Sequence, residues 1–253
     1  MRVPSFAAGL VLGLIILPAL QGADTPLDAA LDEAEELAEA GKYKQALEKF
    51  AWYFEKSRGT SQAGVRLSFA LSTWKKLGDK YPPAREKLFS LRDEAEREVL
   101  TKDSPLTLTY FAEVASIDEE YSQTGKTLGF FKKLATEAPE KARLCCHAAR
   151  KCLMLHKEYA LYLKFGPEPE AAYQDWAKGW LQTEEEAKTR GKDYRTYMLG
   201  MHQRRFLDLA EILVGAGKTD LAEEFQRRAV ELTGEKLFQS AVEGAKKRVK
   251  QKP

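Results

Sequence analysis

The chain has 253 residues, the length of one large domain or two small ones. Charged residues make up 31% and hydrophobic residues 44%, which is enough apolar material for a core and excludes wholesale disorder. Lys+Arg number 40 against 38 Asp+Glu, which excludes the chain-wide basic field of a typical nucleic-acid binder. Three cysteines in this length exclude a disulfide-dense miniprotein.

The chain opens on Met1-Arg2, followed by an almost purely apolar run at Ala7–Leu20. As a helix that run rises about 21 Å, short of the roughly 30 Å hydrocarbon core of a bilayer. Pro18 interrupts it, and Gln21-Gly22-Ala23 follows with small residues. A charged start, a short apolar stretch and a small-residue junction predict a signal peptide over 1–23 and an exported, periplasmic or secreted mature chain. The alternative is an uncleaved segment that anchors the chain to a membrane. Removing Arg2 from the 40 basic residues leaves 39 against 38 acidic ones, so the mature chain is close to neutral.

From Pro26 onward apolar residues recur at spacings of three and four, and no segment has the alternation of a strand. Leu31, Ala34, Leu37 and Ala38 share one helical face; Ala46, Leu47, Phe50, Tyr53 and Phe54 share the next. Gly41-Lys42 lies between them, and glycine ends a helix cheaply because it tolerates the left-handed conformation. The pattern predicts helix pairs near 27–57, 62–101, 105–138 and 140–166. A long helix follows near 168–189, then a pair near 193–232 and a last helix near 235–250. Two further Gly-Lys pairs, in Gly125-Lys126-Thr127 and Gly217-Lys218-Thr219, read as interhelical turns, and Lys157-Glu158-Tyr159 as a weaker copy. Pro82-Pro83 stops the helix bearing Trp74, and Gly166-Pro167-Glu168-Pro169 is the clearest internal break.

A helix–turn–helix unit repeating at about 34 residues is the signature of a stacked array. Ala34, Leu37, Gly41, Tyr43, Ala46 and Phe50, and later Leu209, Ala210, Leu213, Gly217, Ala222 and Ala229, resemble the tetratricopeptide repeat family. The resemblance covers two good units, while Gly41 to Gly125 is 84 residues and Gly125 to Gly217 is 92, so the spacing departs from the family. It implies an all-α, right-handed α-solenoid of stacked antiparallel helix pairs over 24–253. Its first helices would form a concave wall that binds a protein or peptide partner. By that geometry the wall holds Asp28, Leu31, Glu35 and Glu39 early, then Ala115, Glu119, Ser122 and Gln123, and Arg204, Leu207 and Glu211 late. The Lys and Asn with which one subtype clamps a terminal carboxylate are absent; Leu31 and Glu35 hold the equivalent places. The acidic early and basic late wall suits a bipolar peptide.

Chemical motifs are sparse. Val214–Asp220 imitates a phosphate loop, but the position five residues before Gly217 that requires glycine is Ile212, and the segment follows a helix. Cys145, Cys146, His147, Cys152 and His156 hold all three cysteines and two of three histidines. Cys145 and Cys152 lie about 10 Å apart along a helix axis, so one helix cannot close a zinc site around them. These residues read as helix packing; the alternative is an exported ligand-binding or metal-binding protein or an enzyme using this cluster. No nucleophile constellation appears, so the expectation is a non-enzymatic scaffold without cofactor or bound metal that assembles an envelope complex. Lys246, Lys247, Arg248, Lys250 and Lys252 suit a helix C-terminus. Of the aromatics, Trp52, Tyr110, Phe131 and Trp180 are candidates to line a surface because adjacent rings cannot all point inward.

Overall fold

Four interhelical turns set the architecture. At Gly41, Ser122, Lys157 and Gly217 the backbone is left-handed, with φ of 73°, 55°, 58° and 78°. In each, the next residue's N–H reaches back five residues to a helix carbonyl: Lys42 to Leu37, Gln123 to Asp118, Glu158 to Leu153 and Lys218 to Leu213, at 2.6–2.9 Å. The left-handed residue itself bonds three back, to Ala38, Glu119, Met154 and Val214. This paired closure satisfies carbonyls that a helix end leaves orphaned. The second helix then begins two residues after the turn residue, at Tyr43, Thr124, Tyr159 and Thr219.

The computed structural model describes residues 26–251, so the signal-peptide segment 1–23 lies outside the described residues, as does Lys252. The described chain is all-α, with no strand among the described residues. In order, α1 (Pro26–Glu39) and α2 (Tyr43–Lys56) form a hairpin. A continuous rod follows, made of α3 (Ala63–Val65), a π-helical turn (Arg66–Ala70) and α4 (Leu71–Lys80). It turns at Tyr81 alone into α5 (Pro82–Thr101), where Pro82 takes a first-turn position that needs no N–H. Next come α6 (Thr107–Glu120), α7 (Thr124–Glu137), α8 (Pro139–Leu155) and the short α9 (Tyr159–Phe165). The long α10 (Pro169–Arg190) and α11 (Lys192–Gly215) precede α12 (Thr219–Thr233), a 3-10 turn (Lys236–Ser240) and α13 (Ala241–Lys250).

Two sequence expectations are corrected in detail. Gly125 is not the turn residue: it lies inside the first turn of α7, and Ser122 takes the left-handed position. The last helix starts as a 3-10 turn and becomes α-helical only at Ala241.

Aligning the four hairpins on the left-handed residue exposes their packing rule. Seven residues before it stand Ala34, Ala115, Arg150 and Ala210; five residues after it stand Ala46, Thr127, Tyr162 and Ala222. Small residues at both places let two helices cross closely. Ala34 and Ala46 close the first hairpin, and Ala210 and Ala222 the last, all buried. The second has half-buried Ala115 and buried Thr127, whose Oγ1 donates to buried Asp118 at 2.8 Å. Only the third hairpin, α8/α9, carries large residues at both places.

Three apolar clusters hold the hairpins together. The first joins α1, α2, the rod and α5 around Phe50, Phe54 and Trp74, with Trp74 edge-on to Phe54 at 5.2 Å. Each such fully buried side chain contributes about 1.5–3 kcal/mol. The second gathers Phe111, Phe130, Phe131, Cys145 and Leu153 from α6–α8, and the third gathers Tyr173, Trp176, Phe206, Phe225 and Phe238 from α10–α12 and the 3-10 turn. α11 gives Ile212 to the second cluster and Phe206 and Leu213 to the third, so one helix spans the break at 166–169. A buried ion triad ties the first region to α6. Arg66 donates to Glu113 at 2.6 Å and to the Phe54 carbonyl at 2.7 Å, and Arg58 donates to Glu113 at 3.1 and 3.2 Å.

Candidate functional site

The first helices of successive hairpins, α6 and α8, pack directly on one another, as do α11 and α13. Their exposed faces enclose a cavity of about 860 Å³. α6 contributes Ala115 and Glu119, and α8 contributes His147, Ala148, Arg150, Lys151, Cys152, Met154 and Leu155. Lys157 and Tyr159 close one side, and Arg204, Asp208 and Glu211 of α11 with Arg248 of α13 the other. The volume falls within the roughly 300–1,000 Å³ of ordinary ligand sites.

Charge dominates the rim. Arg150 donates to Asp208 at 2.7 Å, and Arg248 approaches Asp208 at 3.5 Å and Glu211 at 3.3 Å. Lys151 pairs with Glu119. The Tyr159 hydroxyl donates to Glu211 Oε1 at 3.0 Å, and burial together with that carboxylate pushes the phenol up to about 12. Burial likewise raises the Asp208 carboxyl, with Arg150 and Arg248 opposing the shift. Lys157 Nζ donates to the Val249 carbonyl at 2.8 Å, capping α13 where the helix dipole favours a cation. Five cations, Arg150, Lys151, Lys157, Arg204 and Arg248, face three acids, Glu119, Asp208 and Glu211. Among the described residues Arg204 has no carboxylate within 4.0 Å.

Tyr159 is placed by a close approach. A Cβ on Gly215 of α11 would stand 2.1 Å from the Tyr159 ring, so α9 and α11 meet only because residue 215 has none.

The sequence-predicted wall divides. Ala115, Glu119, Arg204 and Glu211 line the cavity. Ser122 is the exposed turn residue, and Gln123 is half-buried beside it. Leu207 is half-buried against Gly244 of α13. The four early residues lie elsewhere. Leu31 is 5% exposed and belongs to the first apolar cluster, so it packs rather than lines a wall. Asp28 accepts a hydrogen bond from Gln62 at 2.8 Å. Burial raises the Glu35 carboxyl, opposed by Thr73 and Lys76 of the rod. These contacts turn that face of α1 toward the rod, and only Glu39 is left exposed.

Sequence reasoning missed Arg150, Lys151, Lys157, Tyr159, Asp208 and, as a cavity residue, Arg248. The signal was present in Arg150: an arginine stands where the other three hairpins have alanine. It is legible only once Lys157, rather than a glycine, is taken as the turn residue.

The cysteine cluster does not converge. Cys145 is fully buried in the second apolar cluster, Cys146 faces the Tyr162 carbonyl at 3.8 Å, and Cys152 donates to the Thr124 carbonyl at 3.2 Å. His156 Nε2 lies 3.0 Å from Thr124 Oγ1, and His147 is exposed. Among the described residues no three His, Cys, Asp or Glu side chains are grouped to hold a metal. All three thiols are free, and burial pushes Cys145 and Cys146 up to about 12 and Cys152 up to about 11. A thiol so raised stays protonated at neutral pH and is a poor nucleophile or ligand. At Gly217-Lys218 the two turn N–H groups are spent on Val214 and Leu213 carbonyls and offer nothing to a phosphate.

Of the aromatic candidates, Trp52 is 42% exposed and Tyr110 is half-buried with the Arg58 guanidinium 5.1 Å above its ring. Phe131 and Trp180 are core. Of the C-terminal cations, Lys246 pairs with Glu223 and Glu243 and Arg248 with Asp208 and Glu211, while Lys247 and Lys250 are exposed. No described helix is long and apolar enough to cross a membrane. Comparison with known proteins returns no matching family model, curated protein or solved structure.

Proposed function

We propose that this chain is a non-enzymatic scaffold that binds a protein or peptide partner in the cavity of α6, α8, α11 and α13. One observation carries the reading: one open cavity is lined by α6, α8 and α11, the first helices of the second, third and fourth hairpins, together with α13, and first helices are what a tetratricopeptide-like α-solenoid presents on its concave wall. Four copies of one turn, with small residues at three of four helix crossings, support that solenoid reading. The cavity mixes apolar floor residues (Ala115, Ala148, Met154) with a charged rim, a composition suited to an extended segment with a polar backbone. The layout of residues 1–23 supports export as the address, and assembly of an envelope complex as the setting.

The test is a peptide-display selection against the full chain. Enriched peptides are expected to lose at least about tenfold in affinity, equal to about 1.4 kcal/mol, when Lys151→Glu and Arg204→Glu are combined. Enriched peptides that bind the double variant as well as the parent would remove the cavity from the account. For the address, N-terminal sequencing of the mature protein is expected to start just after Ala23; a retained Met1 would favour the anchored form.

A further inference from the structure

The third hairpin differs from the other three at both crossing positions, and the difference has a consequence in space. Arg150 and Tyr162 replace small residues; α8 and α9 still pack together, with the Cys146 thiol 3.8 Å from the Tyr162 carbonyl, and both large side chains also line the space beside the pair. α9 is also only 7 residues long and ends at Gly166 before Pro167. A second cavity of about 240 Å³ opens beside this hairpin. Tyr162, Pro167, Pro169, Trp176, Leu209 and Ile212 form its largely apolar lining, and it shares His147 and Arg150 with the charged cavity. The two spaces therefore abut across one pair of side chains. At 240 Å³ the crevice is smaller than an ordinary ligand site, which suits one inserted side chain rather than a whole ligand.

The charge balance selects what enters the larger space. Asp208 is shared by Arg150 and Arg248, Glu211 by Arg248 and Tyr159, and Glu119 is held by Lys151. An incoming cation finds every acid taken. An incoming carboxylate finds Arg204 with no acid in ion-pair contact among the described residues, its charge reaching only as far as Asp208, and a surplus of cations around it.

We propose that the two cavities form one bipartite site for an acidic linear peptide segment that carries a bulky apolar residue. The acidic side chains lie along Lys151 and Arg204, and the apolar side chain enters the crevice between the α9–α10 connection and α11. This rests on the reading of the larger cavity as a peptide groove and adds which peptide it takes.

The experiment uses the full chain and four fluorescein-labelled decapeptides, read by anisotropy. The first alternates Glu and Ser around one Leu. The second replaces that Leu with Ser, the third replaces Glu with Gln, and the fourth replaces Glu with Lys. The first is expected to bind at least about tenfold tighter than each of the others, with an advantage over the Gln peptide that shrinks as salt rises. Arg204→Glu is expected to erase the preference for Glu over Gln. Ala172→Trp, which fills the crevice from α10, is expected to erase the preference for Leu over Ser and to keep the preference for Glu over Gln. Ala171→Trp on the exposed side of that helix serves if Ala172→Trp melts early. Equal binding of the Glu, Gln and Lys peptides, lost in Arg204→Glu, keeps the groove and overturns the acidic, bipartite site. A Leu preference that survives both tryptophan variants, or no binding by the first peptide, also overturns it. Failure of the groove itself reads differently: display-selected peptides that bind the Lys151→Glu, Arg204→Glu variant unchanged.

Discussion

The first and third hairpins share one turn and differ in what fills it. Both end the first helix on a left-handed residue with the same pair of backbone hydrogen bonds, at Gly41 and at Lys157. In the first, Ala34 and Ala46 are both fully buried and the helices meet with nothing between them. In the third, Arg150 reaches across to Asp208 on α11, and Tyr162 stands in the adjoining crevice. The same backbone device thus carries either two alanines buried wholly within the hairpin or two large side chains that also line a neighbouring cavity. The first pair supplies core packing, and the third supplies side chains to the cavities beside it.

That contrast can be broken from the closed side first. Ala34→Arg forces a long cation into a fully buried space filled by a methyl group. A cost of at least about 4 kcal/mol is expected, enough to leave much of the chain unfolded in a urea titration at 25 °C. A folded, fully stable variant would mean the first hairpin is not closed. Next in size is Glu113→Ala, which strands Arg66 without its partner in a buried site. Loss of one member of a buried pair costs about 3–5 kcal/mol, read as a lower urea midpoint with unchanged slope. A loss under about 1 kcal/mol would show that the triad does not tie the first region to α6.

Smaller effects sharpen the comparison at the turns. Gly41→Ala and Gly217→Ala place a Cβ at positive φ and are each expected to cost about 1 kcal/mol. Ser122→Gly and Lys157→Gly relieve that strain and are expected to gain up to about 1 kcal/mol, reduced by the greater freedom glycine gives the unfolded chain. The opposite signs are checked by thermal melts of the four variants side by side; equal signs would deny that the turns are equivalent. The smallest effect belongs to Arg150→Ala. Its ion pair with Asp208 is half-exposed, so stability is expected to move by less than about 1 kcal/mol, while peptide affinity falls. The same variant therefore separates the proposed peptide binding from the fold's stability.

Much of this architecture is legible in the sequence because helix periodicity and proline are local signals. Pro82, Pro139 and Pro169 mark helix starts, and the breaks near 57–62, 101–107 and 166–169 fall where turn residues cluster. The second and third turns were harder to place, since a serine and a lysine hold positions where glycine is the usual sign. Gly125, in a triplet that matches the true turn at Gly217, shifts the register of the second hairpin by three residues. With the register shifted, the alanine rule is hidden, and so is its exception at Arg150. The early wall residues illustrate a different limit. Whether Leu31, Asp28 and Glu35 face solvent depends on where the 63–80 rod packs, and that is a tertiary fact no local pattern contains. Arg204 and Glu211 were readable because α11 keeps its helical spacing through the cavity.

The most direct measurement is hydrogen–deuterium exchange of the full chain, free and saturated with a display-selected peptide. Slower exchange is predicted at 147–162 and 204–212, around the third hairpin and the facing stretch of α11, with residues 30–50 of the first hairpin unchanged. Protection confined to 30–50, with 147–162 exchanging as in the free chain, would contradict the account.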